Sequence, residues 1–497
     1  MNHSPISNDQ MATHVQMKLA EAQRFVGLGK RAEALAVLRG MLTLKATGAF
    51  WGVVANQLFQ LSDLAGAEAA ARKFQKGCPG DEKAVLGLAT ILAEVGKLRE
   101  ALSFAQEALK LQPNDPMAHY CMGLVLSRDN KIESALKRFR KAVAIRPDYT
   151  DALEYIAYLS KGEPEQGDLQ AVDDALASNA HTGQPGEATL WYARAVLLER
   201  GGNLDDAFNA YEEGARLMRA QGNFEITALE RYVDRLKTSF SKSFFSANQK
   251  HAYQNKSPVF VVGVPRSGTT LLETAIAAHS KVSSAGETTL VNVATMPYGS
   301  FEPVNLAQIN TELERGENPW SEMGLALKKS YADRVGRNRR VTEKNLGNHL
   351  LLGAISMIAR GAPIIYCARD PAATAWSSFK TRFRSGNDWS YDFDSIVRYQ
   401  EIYSDLMKHW QETLPGNPIL EVRYEDLVSR PEDVIPEILS HAGLKFEPRC
   451  LSPHEAQLPV MTASMAEVRQ PIHTASISGW RRYESQLLGR HPVFTAA

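Results

Sequence analysis

The sequence predicts two architectures in one chain of 497 residues: an α-helical repeat solenoid, then an α/β domain built on a central parallel sheet with a phosphate-binding loop. Three observations carry this. Alanines and prolines recur 34 residues apart through the first 150 positions. A β-branched apolar run, Pro258-Val-Phe-Val-Val-Gly-Val, leads straight into a glycine-containing turn and a helix. A second apolar run, Ala362-Pro-Ile-Ile-Tyr-Cys-Ala, stops at Arg369-Asp-Pro.

The repeat is position-specific. Ala67, Ala101 and Ala135 share the period, as do Pro79, Pro113 and Pro147, each twelve residues after its alanine. In the unit from Pro116 to Tyr149, residues Met122, Gly123, Leu126, Ala135, Phe139 and Ala142 set small and large apolar groups where two antiparallel helices would touch. Pro147 then ends the second helix, because it lacks an N–H and clashes with the preceding turn. This pattern resembles the tetratricopeptide repeat. Units fall near 48–81, 82–115 and 116–149, with a divergent one before them. After an irregular stretch containing Gly162, Pro164, Gly167, Gly183 and Pro185, the residues Trp191, Ala195, Ala207 and Tyr211 restore the register. The array is placed at 14–222, a helical linker at 223–256 and the second domain at 257–485. The resemblance implies a concave groove for a peptide or protein partner; a spacer or a homodimerisation element is the alternative.

Composition narrows the remaining classes. Lys+Arg and Asp+Glu are 56 each, so no global field argues for a nucleic-acid or anionic-membrane partner. Cys78, Cys121, Cys367 and Cys450 form no CxxC pair, which leaves neither a disulfide framework nor a thiolate zinc site, and buried thiols are expected. The histidines form no HExxH or paired-ligand spacing, so no metal is expected. The first residues lack the basic and apolar regions of a signal peptide, and a cytoplasmic location is expected. The apolar stretch 350–368 is broken by Arg360, Gly361 and Pro363, and reads as a helix followed by a strand, not as a membrane span.

Chemistry enters at Pro265-Arg-Ser-Gly-Thr-Thr-Leu-Leu-Glu, directly after the first apolar run. The N–H groups of such a loop and its following helical turn lack intrahelical partners, and the helix dipole adds partial positive charge, so the turn suits phosphate or sulfate. Gly263-x4-Gly268 copies the Walker A spacing, but Thr269 and Thr270 stand where lysine and Ser/Thr would follow, and the cation, Arg266, precedes the glycine. A nucleoside triphosphatase would lack its phosphate lysine. At the second run, Asp370 is the predicted N-cap and Pro371 the first helical residue. Arg369 then emerges at the carboxyl end of a strand, the edge where open α/β sheets bind ligands. Loop 265–270 and Arg369 are therefore predicted to face one nucleotide, with Ser377, two turns into the helix, sharing an anion with Arg369. Taken alone, Arg369 also reads as a helix cap.

Together, the loop and Arg369-Asp-Pro-x4-Trp376-Ser-Ser resemble the two 3′-phosphoadenylyl sulfate (PAPS) motifs of sulfotransferases, particularly protein-tyrosine sulfotransferases and bacterial sulfotransferases carrying tetratricopeptide repeats. The resemblance implies that Arg266, Ser267, Gly268, Thr269 and Thr270 hold the 5′-phosphosulfate, and that Arg369 and Ser377 hold the 3′-phosphate. It further implies Glu287 as the catalytic base, Lys344 as the transition-state lysine, Tyr424 beside the adenosine and Ser464 assisting the leaving group, with Arg266 also in the catalytic set. Singly, Glu287 reads as a first-turn helix residue and Lys344 as a solvated cation; their joint spacing selects the site reading. Two positions depart from the family: Gly479 replaces a lysine before Trp480, leaving Arg481 or Arg482 as substitutes, and Thr381 replaces an arginine, with Lys380 and Arg382 beside it. The implied reaction is metal-free sulfonyl transfer from PAPS to the hydroxyl of an acceptor protein, peptide, glycan or small molecule. The rivals are a kinase-like phosphotransferase, and a repeat scaffold whose nucleotide-binding domain is catalytically silent.

Overall fold

A computed structural model describes residues 8–27, 31–44, 48–61, 63–160, 162, 165, 167–178, 180–222, 224–299, 301–336, 340–383, 386–456 and 470–495. The chain divides into two compact units, 1–180 and 181–497. Among the described residues no helix is long and apolar enough to cross a membrane.

The first unit realises the 34-residue period as helical pairs: Phe50–Gln60 with Leu64–Gly77, Glu82–Glu94 with Leu98–Leu111, and Pro116–Arg128 with Ile132–Ile145. Asp81 and Asp115 cap the leading helices of two successive units, accepting from the N–H groups of Ala84 at 2.9 Å and Ala118 at 2.7 Å. The second helices end two residues before Pro79, Pro113 and Pro147, since the residue before a proline is pushed out of the helical region. Ala67, Ala101 and Ala135 are fully buried. A Cβ on Gly123 would lie 2.6 Å from the Phe139 ring, so only glycine permits that interhelical approach.

The second unit opens with another antiparallel pair, Pro185–Arg200 and Leu204–Gln221, where Gly214 lies against Tyr192 as Gly123 does against Phe139. Residues between this pair and the sheet also pack into the unit. Phe240 and Phe245 are buried, and the Tyr253 N–H donates to the Met357 carbonyl at 2.8 Å.

Five described strands form a wholly parallel sheet: β1 (Pro258–Val262), β2 (Val282–Gly286), β3 (Arg340–Glu343), β4 (Ile364–Ala368) and β5 (Ile419–Arg423), in the order β2-β3-β1-β4-β5. The central strand β1 is buried throughout, as its unbroken apolar run requires. The stretch 350–368 resolves into the helix Leu352–Ile358 and β4, as read from its sequence. From β1 the chain crosses toward β2, and from β4 toward β5, so the direction of winding reverses between β1 and β4. Open α/β sheets bind ligands in the crevice at such a reversal, beyond the carboxyl ends of the strands.

The Pro185–Gln221 pair packs against the helix Pro371–Phe379, which follows β4. Phe208 stacks on Trp376 with ring centroids 5.7 Å apart, Tyr211 meets Trp376 edge-on, and the Tyr192 hydroxyl donates to the Phe379 carbonyl at 3.0 Å. Glu199 accepts from the Lys380 ammonium at 3.0 Å and the Tyr211 hydroxyl at 2.8 Å. Burial pushes its carboxyl up, but Lys380, Tyr211 and Arg482 outweigh this and hold it below its ordinary value. Phe208→Ala should cost about 3–5 kcal/mol through lost burial and an unfilled cavity against Trp376 and Tyr483. Urea unfolding of the full chain measures this, and a loss under ~1 kcal/mol would mean that the pair does not brace the domain.

Candidate functional site

Each of the five strands delivers a candidate residue from its carboxyl end. The loop 263–268 follows β1, Glu287 follows β2, Lys344 follows β3, Arg369 follows β4, and Tyr424 follows β5. Register then decides which of them meet.

Across β2 and β3, Gly286 pairs with Glu343, so the next residues, Glu287 and Lys344, stand side by side. Their side chains form an ion pair. Lys344 is 1% exposed and Glu287 is 38% exposed, so the cation is buried and the carboxylate faces outward. A buried ammonium requires such a partner. Glu287 precedes the helix Leu290–Thr295 and is not part of its first turn, and Lys344 is not a solvated cation.

Across β4 and β5, Ala368 pairs with Arg423, which brings Arg369 over the Tyr424 ring at 4.5 Å. Arg369 also donates to the Arg266 carbonyl at 2.8 Å and to the Ser476 carbonyl, tying the phosphate loop to a segment near the end of the chain. Asp370 caps its helix as expected, accepting from the Ala373 N–H at 2.8 Å.

The loop is tightly built. Gly268, at φ +101°, lies against Tyr424 so closely that a Cβ would come within 2.2 Å of the ring. Arg266 itself has a left-handed backbone, φ 72°, a strained state usually held in place by function or by surrounding contacts. Its Nε donates to Ser377 Oγ at 3.0 Å, so the first-motif cation and the second-motif serine meet directly. Cys367 donates its S–H to the Ser267 carbonyl at 3.1 Å, and burial pushes that thiol up to about 12. Ser267, Thr269 and Thr270 are all buried in the loop and first helical turn. The Ser267 hydroxyl has no partner among the described residues. Arg266, Gly268, Thr270, Arg369 and Tyr424 line one side of a cleft of about 480 Å³, its open mouth included.

Ser464 lies outside the described residues. Arg481 pairs with Glu484 at 2.9 Å and Arg482 approaches Glu199 at 3.8 Å; neither lines the cleft. Two groups escaped the sequence reading. Glu343, wholly buried beside Lys344, accepts from the Tyr331 hydroxyl and from Asn348 Nδ2 at 3.2 Å. Burial raises it to about 7 despite those bonds. The other group is the stretch just past Pro471, where Ile472, His473 and Ser476 line the same cleft. Tyr331 and the 470–476 segment reach the site only through tertiary packing, so no local spacing announced them.

Comparison with known proteins finds two families, one in each part of the chain. Residues 258–448 match the sulfotransferase family, and residues 86–150 and 156–223 match the tetratricopeptide repeat. The chain carries tetratricopeptide repeats and a sulfotransferase-family domain. An uncharacterized protein of Aquifex aeolicus (strain VF5) is 28% identical over 409 residues, which span 80% of this chain but 52% of that protein, so the chain spans about half of that relative's length. A putative protein-tyrosine sulfotransferase of Caenorhabditis briggsae is 27% identical over 231 residues, covering 45% of this chain and 80% of that protein. The sulfotransferase domain from the Synechococcus PCC 7002 olefin synthase aligns at 23% identity and TM-score 0.34, over 46% of this chain and 89% of that one.

Two predictions follow from the site of this sulfotransferase-family domain. Gly268→Ala should destabilise by more than ~1 kcal/mol, from its positive φ and from collision with Tyr424, as read by urea unfolding. Glu343→Gln should remove a pH-dependent penalty. With its folded value raised to about 7 from an ordinary 4.5, the folded chain binds the Glu343 proton more tightly than the unfolded chain. Wild type should therefore lose stability relative to the glutamine variant as pH rises from 4.5 to 7, by up to ~3 kcal/mol. A pH-independent difference between the two would mean that Glu343 does not titrate in this window.

Proposed function

We propose that this chain is a PAPS-dependent sulfotransferase acting on an acceptor hydroxyl, with a protein tyrosine as the preferred acceptor. The observation that carries the reading is the convergence, on one sheet edge, of a phosphate loop, a strand-end arginine and a carboxylate–ammonium pair. The fit to the donor is chemical: two guanidinium groups, the N–H groups of a helical first turn and the partnerless Ser267 hydroxyl suit a ligand with several anionic groups.

In this reading Arg266, Ser267, Gly268, Thr269 and Thr270 hold the 5′-phosphosulfate, Arg369 and Ser377 hold the 3′-phosphate, and Tyr424 lies beside the adenosine. PAPS, when bound, supplies a sulfonyl group on a phosphate leaving oxygen. Glu287, the outward member of the ion pair, accepts the proton of the attacking hydroxyl. Lys344, buried and already oriented by Glu287, donates toward the leaving oxygen as negative charge develops there, and the loop N–H groups add to this. Ser464 is assigned to the same task. A tyrosine acceptor is supported by the likeness to proteins named protein-tyrosine sulfotransferases and by the repeats, whose role in this reading is to present a peptide or protein partner.

Calorimetric titration with 3′,5′-adenosine bisphosphate, with 5′-AMP as control, tests the donor site. Wild type should prefer the bisphosphate, and Arg369→Ala should weaken it roughly tenfold or more by removing a charge-assisted contact. Glu287→Gln should keep the bisphosphate affinity and lower sulfonyl transfer roughly 100-fold. Preference for ATP with Mg²⁺ would move the reading to a kinase-like phosphotransferase. Binding without transfer across a wide acceptor panel would leave a repeat scaffold with a silent nucleotide domain.

A further inference from the structure

The helix that follows the phosphate loop, Thr269–Ala277, carries a buried carboxyl group that neither the loop nor the ion pair uses. Glu273 is 5% exposed, and its Oε1 accepts from two hydroxyls, Ser284 at 2.5 Å and Thr342 at 3.0 Å. These donors are not chance neighbours. Ser284 on β2 and Thr342 on β3 are register partners, so one oxygen on the loop helix bridges both strands at a single rung. Burying a carboxyl group is costly unless its hydrogen bonds are made, and another register would leave the acceptor and its donors without them.

Immediately after that rung the register shifts by one, so that Gly286 and not Ala285 pairs with Glu343. Gly286 has φ +71°, a backbone state that glycine adopts without strain, and its carbonyl accepts from the Lys344 N–H at 3.0 Å. An extra residue in a strand re-aims the side chains that follow it. By alternation Lys344 shares the face of Thr342, whereas Glu287, three past Ser284, would turn to the opposite face. The shift returns Glu287 to the face of Lys344, where the two pair. The ion pair thus needs a fixed rung with a shift directly after it, and Glu273 ties that rung together. Resting on the reading that Glu287 and Lys344 serve sulfonyl transfer, we propose that Glu273 is a positioning residue. It clamps β2 to β3 ahead of the shift, and so sets the base and the lysine against each other and against the phosphate loop on its own helix.

The test reads the ion pair and turnover separately, in the full chain. Acylation of Lys344 by acetic anhydride is followed by mass spectrometry in wild type, Glu287→Ala, Glu273→Ala, Glu273→Gln and Thr342→Val. Lys380, paired with Glu199 elsewhere in the domain, is the reference lysine. An ammonium deprived of its carboxylate loses its proton or moves outward, and either raises its reactivity. Glu287→Ala sets that scale. Glu273→Ala should raise Lys344 labelling roughly tenfold relative to Lys380, as loss of the partner itself does. Glu273→Gln, which keeps an Oε1 acceptor, should recover most of the protection, and Thr342→Val, which removes one of the two donors, should give a smaller rise. In turnover of PAPS, Glu273→Ala should lower kcat about 100-fold, the cost of a misplaced base, with KM little changed. Lys344 protection unchanged in Glu273→Ala and Thr342→Val, or a rise shared by Lys380, would reduce Glu273 to a structural tie and overturn the proposal. The expected labelling in a chain that transfers no sulfonyl group would uphold the positioning of the pair and overturn the sulfotransferase reading.

Discussion

The parallel register of the five strands is the constraint on which the rest of this domain depends. Because every strand points the same way, every strand exit lies on one edge, and five residues separated by up to 158 positions, from Arg266 to Tyr424, are delivered to that edge. The pairing of Gly286 with Glu343 makes the Glu287–Lys344 ion pair possible, and the pairing of Ala368 with Arg423 sets Arg369 over Tyr424. A one-residue slip in either pair would send one member to the opposite face of the sheet. The polar constellation is thus held by apolar forces, since the buried faces of β1 and β4 fix the register that the charged groups inherit.

Electrostatics on that edge is graded by depth. Glu343 lies wholly buried and is raised toward neutrality, while Lys344, the next residue, is equally buried but finds a carboxylate that reaches it from the rim. Alternation along the strand separates the two: one carboxylate turns toward Tyr331 and Asn348, and its neighbour's ammonium turns toward Glu287. Two carboxylates on neighbouring strand ends therefore lie in different settings, although 56 positions separate them in sequence. One ties the strand end to the helix Pro319–Val335, and the other keeps its carboxylate at the rim.

What could be read from the sequence, and what could not, divides along the same lines. The phosphate loop, the N-cap at Asp370 and the strand exit at Arg369 are local features, and glycine, proline and β-branched residues at fixed spacing announce them. The repeat period was equally plain, because Gly123 opposite Phe139 is a contact within one helical pair. Glu287 and Lys344 could be named only through likeness to a family, since their meeting depends on a register that no local pattern encodes. Glu199 and Tyr331 carried no signal. The Glu199–Lys380 pair spans 181 positions, and an isolated glutamate in a helical repeat is indistinguishable from a solvated one until its partner is placed.

That last pair changes how the repeats relate to the chemistry. A helical pair with repeat-like spacing is ordinarily explained by stacking on its neighbours. Here the pair Pro185–Gln221 sets its aromatic face on Trp376, its tyrosine hydroxyl on the Phe379 carbonyl and its largely covered glutamate on Lys380, all on or beside the helix that presents Ser377. That helix, nine residues starting at the Asp370 cap, is also held from its other sides, where Phe379 stacks on Phe393 and Trp376 meets Tyr483. Contacts from the repeat side add to those that set its rotation about its axis, the rotation at which Ser377 meets Arg266. A repeat element has in effect become part of the scaffold of the strand-exit edge, and its glutamate is largely covered and ion-paired when most glutamates on repeat surfaces are left to water.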